Sequence, residues 1–442
     1  MSASIFDSAL YGDLLHDDEI GRHFGDAAEL EAMIRVETAL AKVQGDLGII
    51  PQASAKRIAE SLGDTQIEPA DLAPGTGDDG IPVPALLAAL RESIGEPQHA
   101  GYLHWGATSQ DIMDTGLVLR LRGVSDVIDA RLKLLLAALA DLALICADLP
   151  MVARTRRQPA TPTSFGAVVS GWGSPLLAEF ETLARIRPRL LRVSLAGASG
   201  NASALGEKSA EQRTALAAEL GIFDCETPWH SDRSSLVEFA SVLTRVCGAL
   251  ARLGEDCLLG SQAEVGELLL ASGGASSTMP HKCNPVQAET LLGLFQFVSA
   301  LDGALTHALL HRQQRDGAAW MLEWMTLPQI CMACGRALQL GVSLVTRLQP
   351  DPGRMRINLE GRHGLAYAEA VSFRLCESMT RVEAQACVKR LCADAVQQDC
   401  RLTELLTEEF PDIDWNEVLR PESLLGDAPR QARIFAERVH QL

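Results

Sequence analysis

Apolar residues recur every three or four positions along most of this 442-residue chain, a spacing that places them on one face of a helix. The longest such run lies within 115–147, and its recurring positions are Leu117, Leu121, Val124, Ile128, Leu132, Leu135, Leu139, Leu142 and Cys146. At about 1.5 Å per residue this run predicts a helix of roughly 50 Å, the length of a helix in a bundle. Further long helices are predicted over 234–270, 286–311 and 320–348.

The sequence contains no convincing strand, because it lacks long alternating apolar runs and Asn-Gly hairpin turns. We therefore predict an all-α fold of three helical domains. Residues 1–107 form a smaller domain that includes a helix over 18–48, and residues 108–349 carry the long helices of a central bundle. A proline boundary at Pro350 opens a C-terminal helical domain, residues 350–442.

Charge and hydropathy argue against nucleic acid and membranes as binding partners. The formal net charge is −18 and the sequence pI is about 5.0, so a nucleic-acid-binding surface is not expected. No run of roughly 18 uncharged apolar residues, the length needed to span a bilayer, occurs in the chain. The N-terminal residues also lack a basic segment before an apolar one. The sequence therefore predicts a cytoplasmic protein that binds neither nucleic acid nor a membrane.

The chain contains eleven cysteines, which occur singly at helical positions. This pattern does not indicate a disulfide framework, and most of the cysteines are expected to be small core residues. Cys331 and Cys334 form a C-x-x-C pattern, but no second pair accompanies it and the surrounding segment is apolar. A structural role is therefore favoured over a zinc or redox site for this pair.

Polar residues are concentrated in three segments. The one with the most distinctive sequence is residues 273–289. This segment interrupts the helical pattern with glycines, serines and two prolines, so it reads as a loop between long helices. Its glycines allow the backbone to approach a ligand closely. Ser276 and Ser277 supply hydroxyl groups, while Lys282 and Asn284 add a cation and an amide two positions apart.

The second segment, residues 104–115, immediately precedes the longest predicted helix. The free backbone N–H groups and the positive dipole end of a helix start favour an anion, and Thr108 and Ser109 add hydroxyl donors. Ser109 with Asp111 could instead serve only as a helix cap. His104 opens the segment and is a candidate for proton transfer.

The third segment, residues 154–166, contains Thr155, Arg156 and Gln158 and is expected to start the next helical stretch. Its arginines supply permanent cations that suit an anionic ligand. A cluster of surface arginines without a binding role is the alternative interpretation.

Two further polar positions lie beside breaks in the helical pattern. Arg315 follows the helix predicted over 286–311, and its guanidinium matches a carboxylate through two parallel hydrogen bonds. His230 precedes the helix that starts at 234. The sequence leaves open whether His230 reaches a site or simply lies in a turn.

The segment Ser276–Pro285 reads S-S-T-M-P-H-K-C-N-P and resembles the signature loop of the fumarase/aspartase superfamily, whose pattern is G-S-S-x-M-P-x-K-x-N-P. Ala275 stands where the family usually has glycine. A Gly/Ser linker is the alternative, but a linker has no use for Met-Pro and Lys-x-Asn-Pro at fixed spacing. Residues 104–111 match the family pattern H-x-G-x-T-S-x-D, and residues 155–166 are similar to its T-x-x-Q-x-A-x-P-x-x-x-G region.

This resemblance implies a set of site residues in an enzyme that needs no metal or other cofactor. Ser276 matches the catalytic serine of the family, and Lys282 and Asn284 match the residues that hold the carboxylate on which charge accumulates. His104 is the second catalytic candidate. The substrate-binding candidates, with Arg315 added from its chemistry, are Thr108, Ser109, Thr155, Arg156, Gln158, Ser277, Met279, Lys282, Asn284 and Arg315.

The resemblance also implies the chemistry and the assembly. Superfamily members remove a proton alpha to a carboxylate, or add one in the reverse direction, through a dianion that cations and N–H donors stabilise. A serine acts as a base only if its alkoxide is stabilised, which the loop glycines and Lys282 could do. The proton carrier is left open between His104, His230 and Ser276. The three polar segments are implied to meet from three subunits of a homotetramer with shared active sites.

Arg156 distinguishes this chain within the superfamily, because fumarases and adenylosuccinate lyases usually carry a histidine at that position. An additional fixed cation suits a substrate with three negative charges. The chain resembles a bacterial branch that closes an unsaturated tricarboxylate into a lactone during aromatic degradation, by adding one substrate carboxylate to a double bond. The alternatives are a beta-elimination lyase on a substituted succinate and a non-catalytic homologue, as among lens crystallins.

Overall fold

The computed structural model describes residues 4–63, 65–270, 274–275, 278–279 and 282–442. Helices dominate this part of the chain and the strands are short, so the predicted all-α class is confirmed. Two compact units are assembled from alternating segments, the first from Met1–Ala130, Glu179–Cys247 and Leu294–Arg336 and the second from Arg131–Ala178, Gly248–Gly293 and Ala337–Leu442. The division into three consecutive domains at residues 107 and 349 stays a prediction.

The first hundred residues fold into short helices and one longer helix. These are α1 (Gly12–Leu15), α2 (Asp18–Gly21), α3 (Asp26–Asp46), α4 (Gln52–Gly63), α5 (Pro69–Asp79), α6 (Val83–Ile94) and α7 (Pro97–Ala100). The helix predicted over 18–48 is divided, because a turn at residues 22–25 separates α2 from α3. Asp17 caps α2 by accepting hydrogen bonds from the N–H groups of Glu19 and Ile20, both at 3.1 Å.

The middle of the chain carries the long helices. They are α8 (Ser109–Ile145), α9 (Phe165–Leu190), α10 (Ser209–Leu220), α11 (Ser234–Ser261), α12 (Val286–Thr306) and α13 (Gly317–Arg347), with α10 the one short member. α8 confirms the longest predicted helix, and its repeating apolar positions Leu121, Val124 and Ile128 are completely buried. The 3.6-residue period therefore identified the buried face of this helix correctly.

A β-hairpin lies where the sequence predicted only helix. Strands β1 (Pro150–Thr155) and β2 (Gln158–Ser164) pair in antiparallel fashion, so the expectation of no strand is wrong here. The two turn residues, Arg156 and Arg157, have φ angles of 51° and 66°. Positive φ at both central residues is typical of a type I′ turn, which normally uses Asn-Gly. Because arginines occupy these positions, the usual sequence signal for the hairpin was missing.

The remaining strands are two or three residues long. β3 (Leu268–Leu270) pairs with β6 (Leu348–Pro350), and β4 (Gly274–Ala275) pairs with β5 (Cys283–Asn284), both in antiparallel fashion. The predicted helix over 234–270 was consequently too long, because α11 ends at Ser261. Leu268–Leu270 is extended and paired instead.

The C-terminal segment is helical, as predicted. Its helices are α14 (Pro352–Glu360), α15 (Ala368–Leu375), α16 (Arg381–Gln398), α17 (Leu402–Glu409), α18 (Trp415–Val418) and α19 (Ala428–His440). Helices α14–α18 surround an apolar cluster that includes Val371, Leu391 and Trp415, together with Val152 from β1. Thr380 and Glu383 form a reciprocal capping box that fixes the start of α16.

The start of α9 is packed against the end of α8 through Gly166. A Cβ atom on Gly166 would lie 2.5 Å from the carbonyl oxygen of Ala143, whereas one on Gly171 would lie 3.4 Å from the flexible guanidinium of Arg252. We expect Gly166→Ala to lower the free energy of unfolding by about 1–3 kcal/mol through backbone overpacking. Gly171→Ala, the matched control in the same helix, should raise it by about 0.5–1 kcal/mol. Urea denaturation measures both, and equal changes would contradict the packing argument.

The cysteines, all in the described part of the chain, are thiols rather than disulfides. Cys331 and Cys334 are completely buried in α13. Burial raises the pKa of the Cys331 thiol, and with Asp256 nearby it raises that of Cys257 to about 12. Thiols that hold their protons at neutral pH are poor nucleophiles and metal ligands, which favours the structural role expected for them.

Among the described residues, the segment Val286–Leu309 is long and apolar enough to cross a membrane by length and composition, with a mean hydropathy of 1.2. Core helices of soluble proteins meet the same criterion. This segment contains Glu289 and Asp302, and Asp302 accepts a hydrogen bond from the Ser241 hydroxyl at 3.1 Å. This hydrogen bond joins α12 to α11.

Candidate active site

The buried carboxylate of Asp111 organises the start of α8. One oxygen, Oδ1, accepts from the N–H of Ala196 at 2.9 Å and lies 2.8 Å from Nε2 of His230. The other, Oδ2, accepts from the N–H groups of Thr108 at 3.0 Å and Gly197 at 2.9 Å. These contacts exceed the simple capping role that the sequence suggested, because they also hold a distant loop and a histidine against the helix start.

His230 is 3% exposed, so it does not lie in a solvent-facing turn. Its Nε2 is engaged by Asp111, and its backbone carbonyl accepts a hydrogen bond from Gln110 at 2.9 Å. Whether His230 reaches a site or simply lies in a turn stays open, but the structure places it in the interior at the start of α8. There His230 holds the helix start together.

Arg315 reaches the same helix start from the loop before α13. Its Nε donates to Oε1 of Gln110 at 2.6 Å, and its Nη2 donates to the carbonyl of Ala198 at 3.2 Å and lies 3.5 Å from Oγ1 of Thr108. The guanidinium is exposed to solvent. A helix N-terminus, the Thr108 hydroxyl and a cation therefore converge beside Ser109, and such a group favours a carboxylate.

His104 is held by a buried acid. Its Nδ1 lies 2.5 Å from Oε1 of Glu37, whose side chain is completely buried within α3. Because the Glu37 carboxylate accepts a hydrogen bond from the Nδ1–H group, Nε2 is the imidazole atom that can exchange a proton. His104 has a φ of 67°, an uncommon conformation for a non-glycine residue. The strained backbone and the acid together orient the ring.

Sequence reasoning missed Glu37, although the sequence carries a signal for it. Glu37 lies four residues after Met33 and three before Leu40, both of which are buried. It therefore occupies the apolar face of α3, where an unpartnered carboxylate would be costly. A charged residue in phase with the core indicates a buried partner, which is His104.

A second buried cluster was also missed. The guanidinium of Arg233 donates to both oxygens of Asp114, at 2.7 and 2.9 Å, and to both oxygens of Glu323, at 2.7 and 2.6 Å. Burial raises the pKa of the Asp114 carboxyl above its ordinary value. Burial also acts on Glu323, but Arg233 and His311 outweigh it and lower the pKa of that carboxyl. The two carboxyls that share the Arg233 guanidinium therefore have pKa values shifted in opposite directions.

Thr155, Arg156 and Gln158 lie at the exposed tip of the β1–β2 hairpin, where Thr155 and Gln158 are paired. The expectation that this segment starts a helix is corrected, because the helix begins only at Phe165. The arginines differ in their roles. Arg154 donates two hydrogen bonds of 2.7 Å to the buried carboxylate of Glu267, so it is structural. Arg156 projects from the turn.

The signature loop is described only in part. Ser276 and Ser277, the predicted catalytic serine and its neighbour, lie outside the described residues. Lys282 and Met279 are exposed, and the N–H of Lys282 donates to the carbonyl of Met279 at 3.0 Å. Asn284 pairs with Gly274 across β4 and β5. It also borders a cavity of about 340 Å³ in the second unit.

Each unit therefore gathers part of the predicted site. The first contains His104, Thr108, Ser109 and Arg315, and the second contains Thr155, Arg156, Gln158, Met279, Lys282 and Asn284. In the first unit, contacts join Arg315 and Thr108 directly. In the second, backbone pairing joins Thr155 to Gln158 and closes the base of the signature loop.

The profile of a protein family described as lyase matches residues 16–298, so the chain belongs to this lyase family, the fumarase/aspartase superfamily. The chain is 38% identical over 427 residues to the 3-carboxy-cis,cis-muconate cycloisomerase of Pseudomonas aeruginosa, covering 94% of this chain and 92% of that protein. It is 32% identical over 446 residues to the nitrosuccinate lyase of Streptomyces davaonensis, covering 97% and 94%. The crystal structure of the 3-carboxy-cis,cis-muconate lactonizing enzyme from Pseudomonas putida matches with a TM-score of 0.92 and 35% identity, covering 98% of this chain and 99% of that one.

Proposed function

We propose that the protein is a cycloisomerase that converts 3-carboxy-cis,cis-muconate into 4-carboxymuconolactone, a step of protocatechuate degradation. The observation that carries this proposal is the 38% identity to a cycloisomerase of that name over 94% of the chain. The lyase family and the anion-favouring start of α8 support it, because the substrate carries three carboxylates. The protein is proposed to act in the cytoplasm and without a cofactor.

Two carboxylates of the substrate would bind to cations and N–H donors. One would lie at the start of α8, where Thr108 and Ser109 supply donors and Arg315 supplies a guanidinium. The other would lie at the signature loop, against Lys282 and Asn284. This second carboxylate is conjugated with the double bond, so the negative charge that develops during ring closure moves onto it.

Ring closure requires one new C–O bond and one new C–H bond. The substrate's own third carboxylate attacks the double bond, and the electron pair of that bond moves into the conjugated carboxylate. A proton then adds to the carbon next to it, delivered in this proposal by Ser276. His104, with its Nδ1 held by Glu37, is proposed to supply or return the proton at Nε2. His230 is the weaker candidate, because its Nε2 is engaged by Asp111.

Replacing Glu37 with glutamine should lower kcat by about 10-fold to 10²-fold, the usual range for a group that orients a functional histidine. The glutamine oxygen can still accept the Nδ1 proton, but it lacks the charge that stabilises an imidazolium. Steady-state kinetics with the tricarboxylate measures the effect. Glu31→Gln, at an exposed position on the same helix, is the matched control and should leave kcat unchanged. A kcat within about threefold of wild type for Glu37→Gln would remove this residue from the mechanism.

Arg156 is proposed to bind the substrate from another subunit. It lies at an exposed hairpin tip, and Lys282 and Met279 are also exposed in the isolated chain. Such residues would form a closed site only against another surface, which fits a homotetramer with shared active sites. In the apolar segment Val286–Leu309, moreover, only 28% of its most apolar stretch is buried within the chain. Light scattering coupled to size exclusion tests the assembly, and a fully active monomer would contradict it.

The function itself is tested by mixing the purified protein with 3-carboxy-cis,cis-muconate and no added metal. Loss of the diene's ultraviolet absorbance should be rapid, and proton NMR should identify 4-carboxymuconolactone as the product. No turnover would overturn the proposal. The second candidate is then beta elimination from a substituted succinate, which the 32% identity to a nitrosuccinate lyase over 97% of the chain favours. Nitrosuccinate and adenylosuccinate are the substrates for that test.

A further inference from the structure

A cavity of about 620 Å³ lies within the first unit, between the N-terminal helices, the first turns of α8 and the start of α13. None of the predicted active-site residues that the structure describes lines it. Its walls are mostly apolar, with Leu30 and Met33 from α3, Leu72 from α5, Leu117 from α8 and the paired indoles of Trp320 and Trp324. A cavity of this size and character is typical of a site for a small organic molecule.

The only basic side chain lining this cavity among the described residues is Arg120. Its side chain is 11% exposed, and its ion pair with Glu29 is long at 3.4 Å. The Nε of Arg120 is buried and donates no hydrogen bond within the described structure. Burial lowers the pKa of this arginine, which is the sign of a guanidinium that lacks adequate compensation. A buried donor without an acceptor is costly unless a ligand supplies one.

The acidic side chains around the cavity are already engaged or exposed. Asp114 and Glu323 give all four of their oxygens to Arg233. Glu29 faces Arg120, and Asp26 is exposed at the start of α3. The cavity therefore contains one cationic hydrogen-bond donor without an acceptor among the described residues, Nε of Arg120. An anion is the strongest acceptor for such a donor.

We propose that this cavity is a second ligand site, which binds a small apolar monocarboxylate. The carboxylate accepts a hydrogen bond from Nε of Arg120, and the apolar body packs against Trp320, Trp324 and the aliphatic side chains of α3 and α5. The indoles meet edge to face with centroids 5.0 Å apart, so both rings contribute apolar aromatic surface to the cavity wall. This site is separate from the proposed catalytic one and does not depend on it.

Calorimetric titration of the wild-type protein with three probes that share one body and differ in head group tests the charge preference. The probes are 2-naphthoate, 2-naphthamide and 2-naphthylmethylamine. We expect 2-naphthoate to bind at least tenfold more tightly than the amide, because a charge-assisted hydrogen bond is stronger than a neutral one. The amine should bind more weakly still. Tighter binding of the amine, or no binding of 2-naphthoate at millimolar concentration, would overturn the proposal.

Four variants test the location. Arg120→Gln should weaken the binding of 2-naphthoate at least tenfold. Arg91→Gln, at an exposed position on α6, should leave the affinity unchanged. Ala73→Phe fills the cavity from α5 without changing its charge, so it should block binding. Arg315→Gln alters the start of α8 and should leave binding intact. Circular dichroism and melting temperature confirm that each variant is folded. Binding that survives Ala73→Phe but is lost in Arg315→Gln would assign the probe to the other site and overturn the proposal.

Discussion

Replacing Arg233 with methionine should lower the free energy of unfolding by about 3–5 kcal/mol, the cost of removing one partner from a buried ion pair. The guanidinium donates four hydrogen bonds to the carboxylates of Asp114 and Glu323, and both side chains are 1% exposed. Methionine fills a similar volume but leaves the two buried carboxylates without the guanidinium that they share. Urea denaturation followed by circular dichroism measures the loss.

The control for this prediction is an arginine within α11, the helix that begins directly after Arg233. Arg245 forms an ion pair with Glu179, but its side chain is 50% exposed. Arg245→Met should therefore cost less than about 1 kcal/mol. A triple variant that combines Arg233→Met with Asp114→Leu and Glu323→Met should recover most of the lost stability, because both carboxylates are removed together with the guanidinium that they bind. Failure of the triple variant to exceed the single one would assign the cost to packing.

The cost of Arg233→Met should also depend on pH. Without the guanidinium, burial raises the pKa of the Asp114 carboxyl further, and Arg233 no longer lowers the pKa of Glu323. The folded variant therefore binds more protons at mildly acidic pH than the folded wild type does. Stability of the variant relative to the wild type therefore rises as the pH falls toward about 4, the ordinary range of these groups. We expect a smaller difference from wild type at about pH 5 than at about pH 8. A cost that is constant with pH would contradict the electrostatic origin.

The helical period predicted the fold class and the main helices, because a buried helix face repeats its apolar positions whatever it packs against. α8 follows this rule from Val118 to Leu139. The hairpin at residues 150–164 escaped detection for a physical reason. Its turn places two arginines at positive φ, a conformation that tertiary contacts support but that arginine does not favour on its own. The local sequence therefore predicted helix where the structure has a β-hairpin.

The sequence indicated some residues of the candidate site but not the partners that hold them, for a similar reason. Thr108, Arg315 and Lys282 carry hydroxyl or cationic chemistry beside breaks in the helical pattern, and the sequence shows both features. Glu37 and Asp111 act through partners 67 and 119 positions away, His104 and His230 respectively. No local pattern contains such a pairing, so only the folded chain reveals it. Charged residues in phase with a buried face are the one local sign.

The second large effect is expected at Ser276, which the proposed mechanism makes the proton donor. Ser276→Ala removes the hydroxyl but leaves the groups proposed to bind the carboxylates, namely Arg315, Lys282 and Asn284. The kcat for the tricarboxylate should therefore fall by about 10³–10⁴-fold, the upper range for a group that transfers a proton in the transition state. KM should change by less than about threefold, since ground-state binding is preserved. Stopped-flow absorbance of the diene measures both constants.

Ser272→Ala is the matched control, because Ser272 belongs to the same stretch of chain but lies outside the motif shared with the superfamily. It should keep the wild-type kcat. If Ser276→Ala also keeps near-wild-type turnover, the proton must come from elsewhere, and His104→Gln, which removes the imidazole itself, then decides whether His104 is its source. If both variants turn over normally, solvent delivers the proton, and the residues that bind the carboxylates account for catalysis by electrostatic stabilisation alone.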